Sequence, residues 1–223
     1  MTGDNKTILS NIARRLNLAA DATHMPHLYF MTDPVRTPDP VAAAGRLPLG
    51  CAVVLRHYDV SDRLSLAMKL KQVCRAQSLP LIVAGDARLA RAVQADGLHL
   101  PEWALRQPDV LHRQWRNSYK GLITAAVHSE RALRLAVRFG VNAVVASPVF
   151  PTESHPAGGA LGTHALARWG HRSQVPVIAL GGVSRLTAPQ LIGTGCVGIA
   201  GIGGLIETKR EIFENNAFPG KHL

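Results

Sequence analysis

The stretch Val177-Ile-Ala-Leu-Gly-Gly-Val183 is a short apolar run that ends in two glycines, and a second run of this kind, GCVGIAGIGG, follows at 195–204. A buried parallel strand that leads into a loop has this composition, and glycine lets backbone amides in the loop approach an anion. In α/β barrels the loops after the last two strands commonly bind a phosphate. Glycines that only relax turns would explain either run alone, but the order and proximity of the two runs favour a phosphate site.

Six further apolar runs precede this pair, and amphipathic patterns lie between most of them. The predicted strands are 27–32, 51–56, 79–84, 97–100, 121–127, 142–147, 175–180 and 195–201. The predicted helices are 8–20, 61–77, 86–94, 129–139 and a shorter one after Thr187. The helix at 129–139 is the clearest, because Ser129 suits an N-cap and Gly140 suits a C-terminal stop.

The alternation of buried strands and helices predicts an α/β fold with a parallel sheet. Eight such units in 223 residues favour a single closed (β/α)8 barrel of the TIM type. An open doubly wound sheet is the alternative, but the first strand runs into Thr32-Asp33-Pro34 and not into a Gly-x-Gly-x-x-Gly loop. We expect an N-terminal helical extension over 1–26, the barrel over 27–210 and a C-terminal tail over 211–223.

Composition excludes several classes of protein. There is no run of about eighteen apolar residues and no apolar signal core, so we expect a cytoplasmic protein that does not enter a membrane. The three cysteines lack the spacing of a disulfide framework or a zinc site, and we expect free thiols. The net charge is +10, but the arginines are spread singly over helical faces, so we expect no nucleic-acid partner.

Reactive groups of a barrel lie where its strands end, and this defines the candidates. They are Asp33, Arg56, Asp86, His99, His128, Ser147, Thr152, Gly181, Gly182, Gly201 and Gly203. His128 ends an apolar run just before a helix cap, where an imidazole would face the barrel mouth and exchange protons near neutral pH. A histidine that only bonds the neighbouring loop is the alternative. For His99 we favour a role in packing.

Seven motifs, in this order, resemble the thiamine phosphate synthase and TenI superfamily across about 28–206. They are LYFMTD (28–33), VLR (54–56), IVAGD (82–86), ADGLHL (95–100), AVHS (126–129), SPVFPT (147–152) and VIALGGV (177–183). The resemblance implies a (β/α)8 barrel, which agrees with the strand count. It also implies that a thiazole phosphate is held by Thr152, Ser154, Gly182, Ile202 and Gly203, with Arg56 and Ser147 as further substrate contacts and Gly181 and Gly201 in the phosphate site.

The half of the site that binds a pyrimidinylmethyl diphosphate in the synthases departs from the family pattern. The family has a Gln and a Lys around the strand-two arginine, an Asn-Asp pair, a second magnesium-binding Asp, a Ser before the histidine and a Lys after the Pro-x-Thr loop. These positions are Val54, Tyr58, Gly85, Ala104, Ala126 and His155 here, and only Arg56 and Asp86 survive. One aspartate without either lysine is a poor site for a leaving diphosphate and its Mg²⁺.

We therefore expect an isomerase that resembles the thiazole tautomerases, with His128 as acid and base, Arg56 orienting the ring, and no metal or other cofactor. One alternative is a thiamine phosphate synthase with an altered diphosphate site, which would use Mg²⁺ at Asp86. Another is a non-catalytic regulatory barrel. In each case the expected partner is a small phosphorylated, thiazole-like ligand, and a homodimer is left open.

Overall fold

Eight parallel strands close into a barrel in the computed structural model, which describes residues 5–106, 121–152 and 159–202. The strands are β1 (Leu28–Met31), β2 (Cys51–Leu55), β3 (Leu81–Ala84), β4 (Gly97–Leu100), β5 (Leu122–Val127), β6 (Ala143–Ala146), β7 (Val177–Ala179) and β8 (Gly198–Gly201). Each strand pairs with its neighbours in the chain, and β1 pairs with β8 with Leu28 opposite Ile199. This confirms the predicted barrel and all eight strands.

Side chains alternate between two cores along each strand. On β1, Leu28 and Phe30 point outward and belong to the larger core between the sheet and the helices. Tyr29 and Met31 belong to the smaller core inside the barrel. Because both faces of every strand are covered, the strands are apolar on both sides, and this explains their continuous apolar runs.

Six α-helices among the described residues surround the barrel. They are α1 (Asn5–Ala19), α2 (Pro40–Ala44), α3 (Arg63–Ala76), α4 (Ala87–Ala92), α5 (Glu130–Phe139) and α6 (Gly162–Arg172), with 3₁₀ helices at Glu102–Arg106 and Ala188–Leu191. Ser129 Oγ accepts a hydrogen bond from the amide of Ala132 at 3.1 Å, and Gly140 ends α5 in the left-handed conformation. The predicted caps of this helix are confirmed.

Other helix boundaries differ from the predictions. α3 begins at Arg63, because Asp62 is its N-cap and accepts from the amide of Ser65. The segment after Thr187 is a 3₁₀ helix. α2, α6 and the 3₁₀ helix at Glu102–Arg106 were not predicted.

The N-terminal helix packs against the barrel. Leu9, Ala13 and Leu16 are buried in the larger core between the sheet and the helices, here called the outer core. Asn17 Nδ2 donates to the carbonyl of Val197, just before β8. The predicted helix at 8–20 is confirmed with a start three residues earlier, at Asn5. The tail predicted at 211–223 lies outside the described residues.

The three cysteines, Cys51, Cys74 and Cys196, are buried and free. Within the described ranges, no helix is both long and apolar enough to cross a membrane.

The inward face of α3 supplies a test of the outer core. Leu70 has no exposed surface, whereas Met68 on the same helix is 59% exposed. Leu70→Ala should lower the free energy of unfolding by about 2–5 kcal/mol, because it removes buried methyl groups and leaves a cavity. Met68→Ala is the control and should change it little. Urea unfolding followed by circular dichroism measures both, and equal midpoints would contradict this packing.

Candidate active site at the barrel mouth

A cavity of about 860 Å³ opens at the carboxyl ends of the strands. It lies in the upper part of the range of about 300–1,000 Å³ that is usual for small-molecule sites. Segments after β1, β2 and β4 to β8 line it. Its lining includes Asp33, Arg36, Arg56, Tyr58, His99, Glu102, Trp103, His128, Ser147, Thr152, Gly181, Gly182, Gly201 and Ile202.

The cavity brings together most of the residues predicted from the sequence. His128, Arg56, Ser147 and Thr152 line it, as do the glycines at 181, 182 and 201 and Ile202. Ser154, His155 and Gly203 lie outside the described residues. The roles assigned to these residues stay predictions, but their placement at one mouth agrees with them.

His128 is held at two points. Its amide donates to Glu102 Oε2 at 2.7 Å, and its ring Nδ1 lies 2.6 Å from the carbonyl oxygen of Ser147. A carbonyl oxygen only accepts, so Nδ1 carries the proton that is donated to it. In the neutral ring, Nε2 is then the nitrogen that can take up a proton. The side chain is exposed at the mouth, so its geometry suits proton exchange with a bound ligand.

His99 also lines the cavity but differs chemically from His128. It is buried, and its Nδ1 lies 2.8 Å from Thr124 Oγ1 on the neighbouring strand. Burial, with a smaller effect from the charge of Arg56, lowers the pKa of His99 to about 3. The ring is therefore neutral at physiological pH. The expected packing role agrees with its burial, and the cavity lining adds a neutral polar contact for a ligand.

The glycines after β7 are required by packing between loops. A Cβ on Gly181 would lie 2.7 Å from Pro148 Cα, and one on Gly182 would lie 2.5 Å from the carbonyl oxygen of Pro151. Both glycines also have positive φ. Because of these contacts, the loop after β7 runs directly against the loop after β6, which brings both backbones to the cavity. The phosphate role of these glycines stays a prediction.

Arg56 is positioned by the end of β1. Its amide donates to Thr32 Oγ1 at 2.9 Å, and the same hydroxyl lies 2.9 Å from Nδ1 of the buried His57. Burial lowers the pKa of His57, and the neighbouring Asp33 partly opposes this. Asp33 Oδ1 accepts from the amide of Arg36 at 3.0 Å. The two bonds of Thr32 tie the ends of β1 and β2 together, and both Arg36 and Arg56 line the cavity beside them.

Asp86 does not line the cavity. Its Oδ1 caps α4 by accepting from the amide of Leu89 at 2.9 Å, and its Oδ2 lies 3.7 Å from Arg63 Nη1. No cluster of three or more potential metal ligands occurs among the described residues. The family position that would supply a second carboxylate is Ala104. These residues do not fit the magnesium site that the synthase alternative assigned to Asp86.

Sequence reasoning missed Glu102, Trp103 and Arg36. Glu102 lies on a 3₁₀ helix one residue beyond Pro101, so no strand-end pattern marked it, yet its carboxylate bonds the His128 backbone. Arg36 lies three residues after Asp33 in the loop.

Comparison with models of known protein families shows the family of this chain. The model for thiamine monophosphate synthase matches residues 28–205. The chain belongs to this family. It is 33% identical over 166 residues to a thiamine-phosphate synthase of Methylococcus capsulatus, with 73% of each chain covered. It is 32% identical over 157 residues to a putative thiamine-phosphate synthase 2 of Aquifex aeolicus, with 70% of this chain and 82% of that one covered.

A solved structure shares the fold of this family member. The thiamine phosphate pyrophosphorylase from Pyrococcus furiosus superposes with a TM-score of 0.65, covering 84% of this chain and 95% of that one. At 23% identity this likeness supports the fold alone. It agrees with the closed order of the eight strands.

The buried His99 predicts acid sensitivity. The unfolded chain takes up a proton at His99 as the pH falls below 6.5, whereas the folded chain does so only near pH 3. The free energy of unfolding should therefore fall as pH decreases through this window. The lowered pKa values of His27 and His57 add to this slope.

His99→Gln should make the slope shallower, and the exposed His24→Gln is the control. Urea unfolding at several pH values measures the slope, and an unchanged slope in His99→Gln would show that folding does not lower the pKa of His99.

Proposed function

We propose that this chain binds a thiazole phosphate in the barrel mouth and joins it to a molecule that carries a diphosphate leaving group, which is the reaction of a thiamine-phosphate synthase. The names of the relatives support this reaction over the isomerase that the sequence analysis favoured. The membership of the thiamine monophosphate synthase family also supports it.

The observation that supports the proposal is that two sets of residues suited to anions line the same cavity. The loops after β7 and β8 bring Gly181, Gly182 and Ile202 to one wall, where backbone amides suit a phosphate. The loops after β1 and β2 bring Arg36 and Arg56 to another wall, where guanidinium groups suit a second anion. A ligand set with two separate phosphate groups fits this division, and the cavity volume suits two small molecules.

In this reaction the thiazole ring nitrogen supplies an electron pair to the methylene carbon of the second substrate. The carbon–oxygen bond to the diphosphate breaks, and its electron pair leaves with the diphosphate oxygen. The chain binds the two partners at a fixed separation, which replaces a bimolecular encounter by an oriented one. The charges of Arg36 and Arg56 stabilise the negative charge that develops on the leaving group.

A thiazole tautomerase is the second candidate, and the geometry of His128 favours it. The bond from Nδ1 to the Ser147 carbonyl leaves Nε2 to remove a proton from one ring position and return it at another. Such a shift expels no leaving group and needs no diphosphate site. The replacement of family residues by Tyr58 and Ala104 would not impair it.

The coupling reaction gives the first test. Purified protein is supplied with a thiazole phosphate and a pyrimidinylmethyl diphosphate, and pyrophosphate and thiamine phosphate are measured together. We expect both products in equal amounts. Arg56→Ala should lower kcat/KM by about 10- to 100-fold, because a charge-assisted contact to the leaving group is lost. Arg75→Ala, on the exposed face of α3, is the control and should keep the rate.

Variants of His128 and the choice of substrate distinguish a tautomerase from a synthase. If the protein is a tautomerase, a carboxythiazole phosphate turns over without any second substrate, and His128→Gln lowers kcat by about 100- to 10,000-fold. Release of pyrophosphate would then be absent in the coupling assay. Binding of a thiazole phosphate with turnover in neither assay would support the non-catalytic alternative and overturn the proposed reaction.

A further inference from the structure

Four residues at the ends of β2 and β3 form a compact group, which we call the β2–β3 cluster: Tyr58, Arg63, Gly85 and Asp86. Tyr58 lines the cavity, whereas Arg63 lies behind it with its guanidinium carbon 5.2 Å from the centre of the Tyr58 ring. The cluster occupies the region where the family pattern has a lysine, an asparagine and the first magnesium-binding aspartate.

Tyr58 and Gly85 depend on each other sterically. A Cβ on Gly85 would lie 3.1 Å from Tyr58 Cε1, and Gly85 has a φ of +71°. A larger side chain at this position would require the ring to shift by a few tenths of an ångström, and the positive φ favours glycine. The glycine at 85 is therefore compatible with the ring position of Tyr58.

Arg63 is fixed by four contacts. Its Nη2 donates to the carbonyl of Ala84 at 2.7 Å and to that of Leu55 at 3.3 Å, at the ends of β3 and β2. Its Nη1 lies 3.7 Å from Asp86 Oδ2, and its plane lies over Tyr58. The Arg63 side chain is 14% exposed, so the cation is largely withdrawn from solvent. These contacts give the guanidinium group a well-defined position, although Nε is buried without a hydrogen-bond partner.

We infer that Arg63 is a built-in cation that takes the place of a divalent metal beside Asp86, so that anions bind in the cavity independently of divalent cations. A negative Asp86 without a partner would repel a phosphate or diphosphate at the same rim. Arg63 offsets this charge at a distance of 3.7 Å. Because Asp86 Oδ1 caps α4 and Oδ2 faces Arg63, a metal ion that bound both oxygens would have to displace these contacts. The inference rests on the proposed function only in taking the ligand to be an anion.

The first test measures metal binding directly. Full-length protein is titrated with Mn²⁺, and bound ion is followed by electron paramagnetic resonance. We expect no binding that depends on Asp86 in the wild-type chain. Arg63→Gln frees the carboxylate and should gain a weak Mn²⁺ site that Arg63→Gln/Asp86→Asn lacks. Asparagine is as good an N-cap as aspartate, so the double variant keeps α4 capped. An Mn²⁺ site in the wild-type chain that Asp86→Asn abolishes would overturn the inference.

The second test measures anion affinity with inorganic pyrophosphate by calorimetry, in EDTA and in Mg²⁺. The wild-type affinity should be the same in both. Arg63→Gln should weaken binding in EDTA by about 3- to 10-fold at low ionic strength, and Mg²⁺ should restore it. Arg63→Gln/Asp86→Asn should recover the wild-type value without metal, because the unpaired charge is gone. Arg91→Gln, an exposed charge loss on α4, is the matched control.

The double variant separates a charge effect from a structural one. If Arg63 only holds the strand carbonyls, removal of Asp86 will not restore affinity, and the inference is wrong. Neither test needs turnover. Failure of pyrophosphate to bind at all would count against the synthase reaction, while the Mn²⁺ titration would still decide the role of Arg63.

Discussion

Closure of the sheet between β1 and β8 is the constraint on which the site depends. Because all eight strands are parallel, their carboxyl ends meet at one rim, and residues far apart in the chain become neighbours. Arg56 and Gly182 are thereby placed on the wall of one cavity, although more than half of the chain separates them. An open sheet would leave the first and last strands at opposite edges. The loops after β1 and β2 and those after β7 and β8 line one cavity only because the barrel closes.

The carboxylates at this rim are engaged by the backbone. Asp33 accepts from two amides of its own loop, and Asp86 caps α4 while it pairs with Arg63. Glu102 bonds the His128 amide. These acidic groups stabilise loops, and two of them, Asp33 and Glu102, line the cavity together with Arg36 and Arg56.

Local patterns made the fold predictable from the sequence, and long-range contacts made parts of the site unpredictable. Every strand shows as an apolar run because it is buried on both faces, and Ser129 and Gly140 mark α5 because caps are local. The need for glycine at 181 comes from Pro148, which lies on another loop, so no local pattern contains it. In the sequence, Arg63 is likewise only a charged residue at the start of a predicted helix. Its partners lie at the ends of β2 and β3.

The β2–β3 cluster departs from the family pattern, and its contacts distinguish simple loss of the diphosphate site from replacement by a different set of interactions. Simple loss of a diphosphate site would leave an unpaired carboxylate at Asp86 and space where the lysine and asparagine were. Instead Tyr58 fills that space against Gly85, and Arg63 neutralises Asp86. The changes at Tyr58 and Gly85 are thus accompanied by new contacts, while His128 has two hydrogen bonds that fix its tautomer and position. A rim rebuilt in this way still holds an open cavity lined by Arg36, Arg56 and His128. These contacts favour a site that still binds a ligand, with Arg63 in place of a metal ion beside Asp86. They argue against a barrel that has lost its binding site.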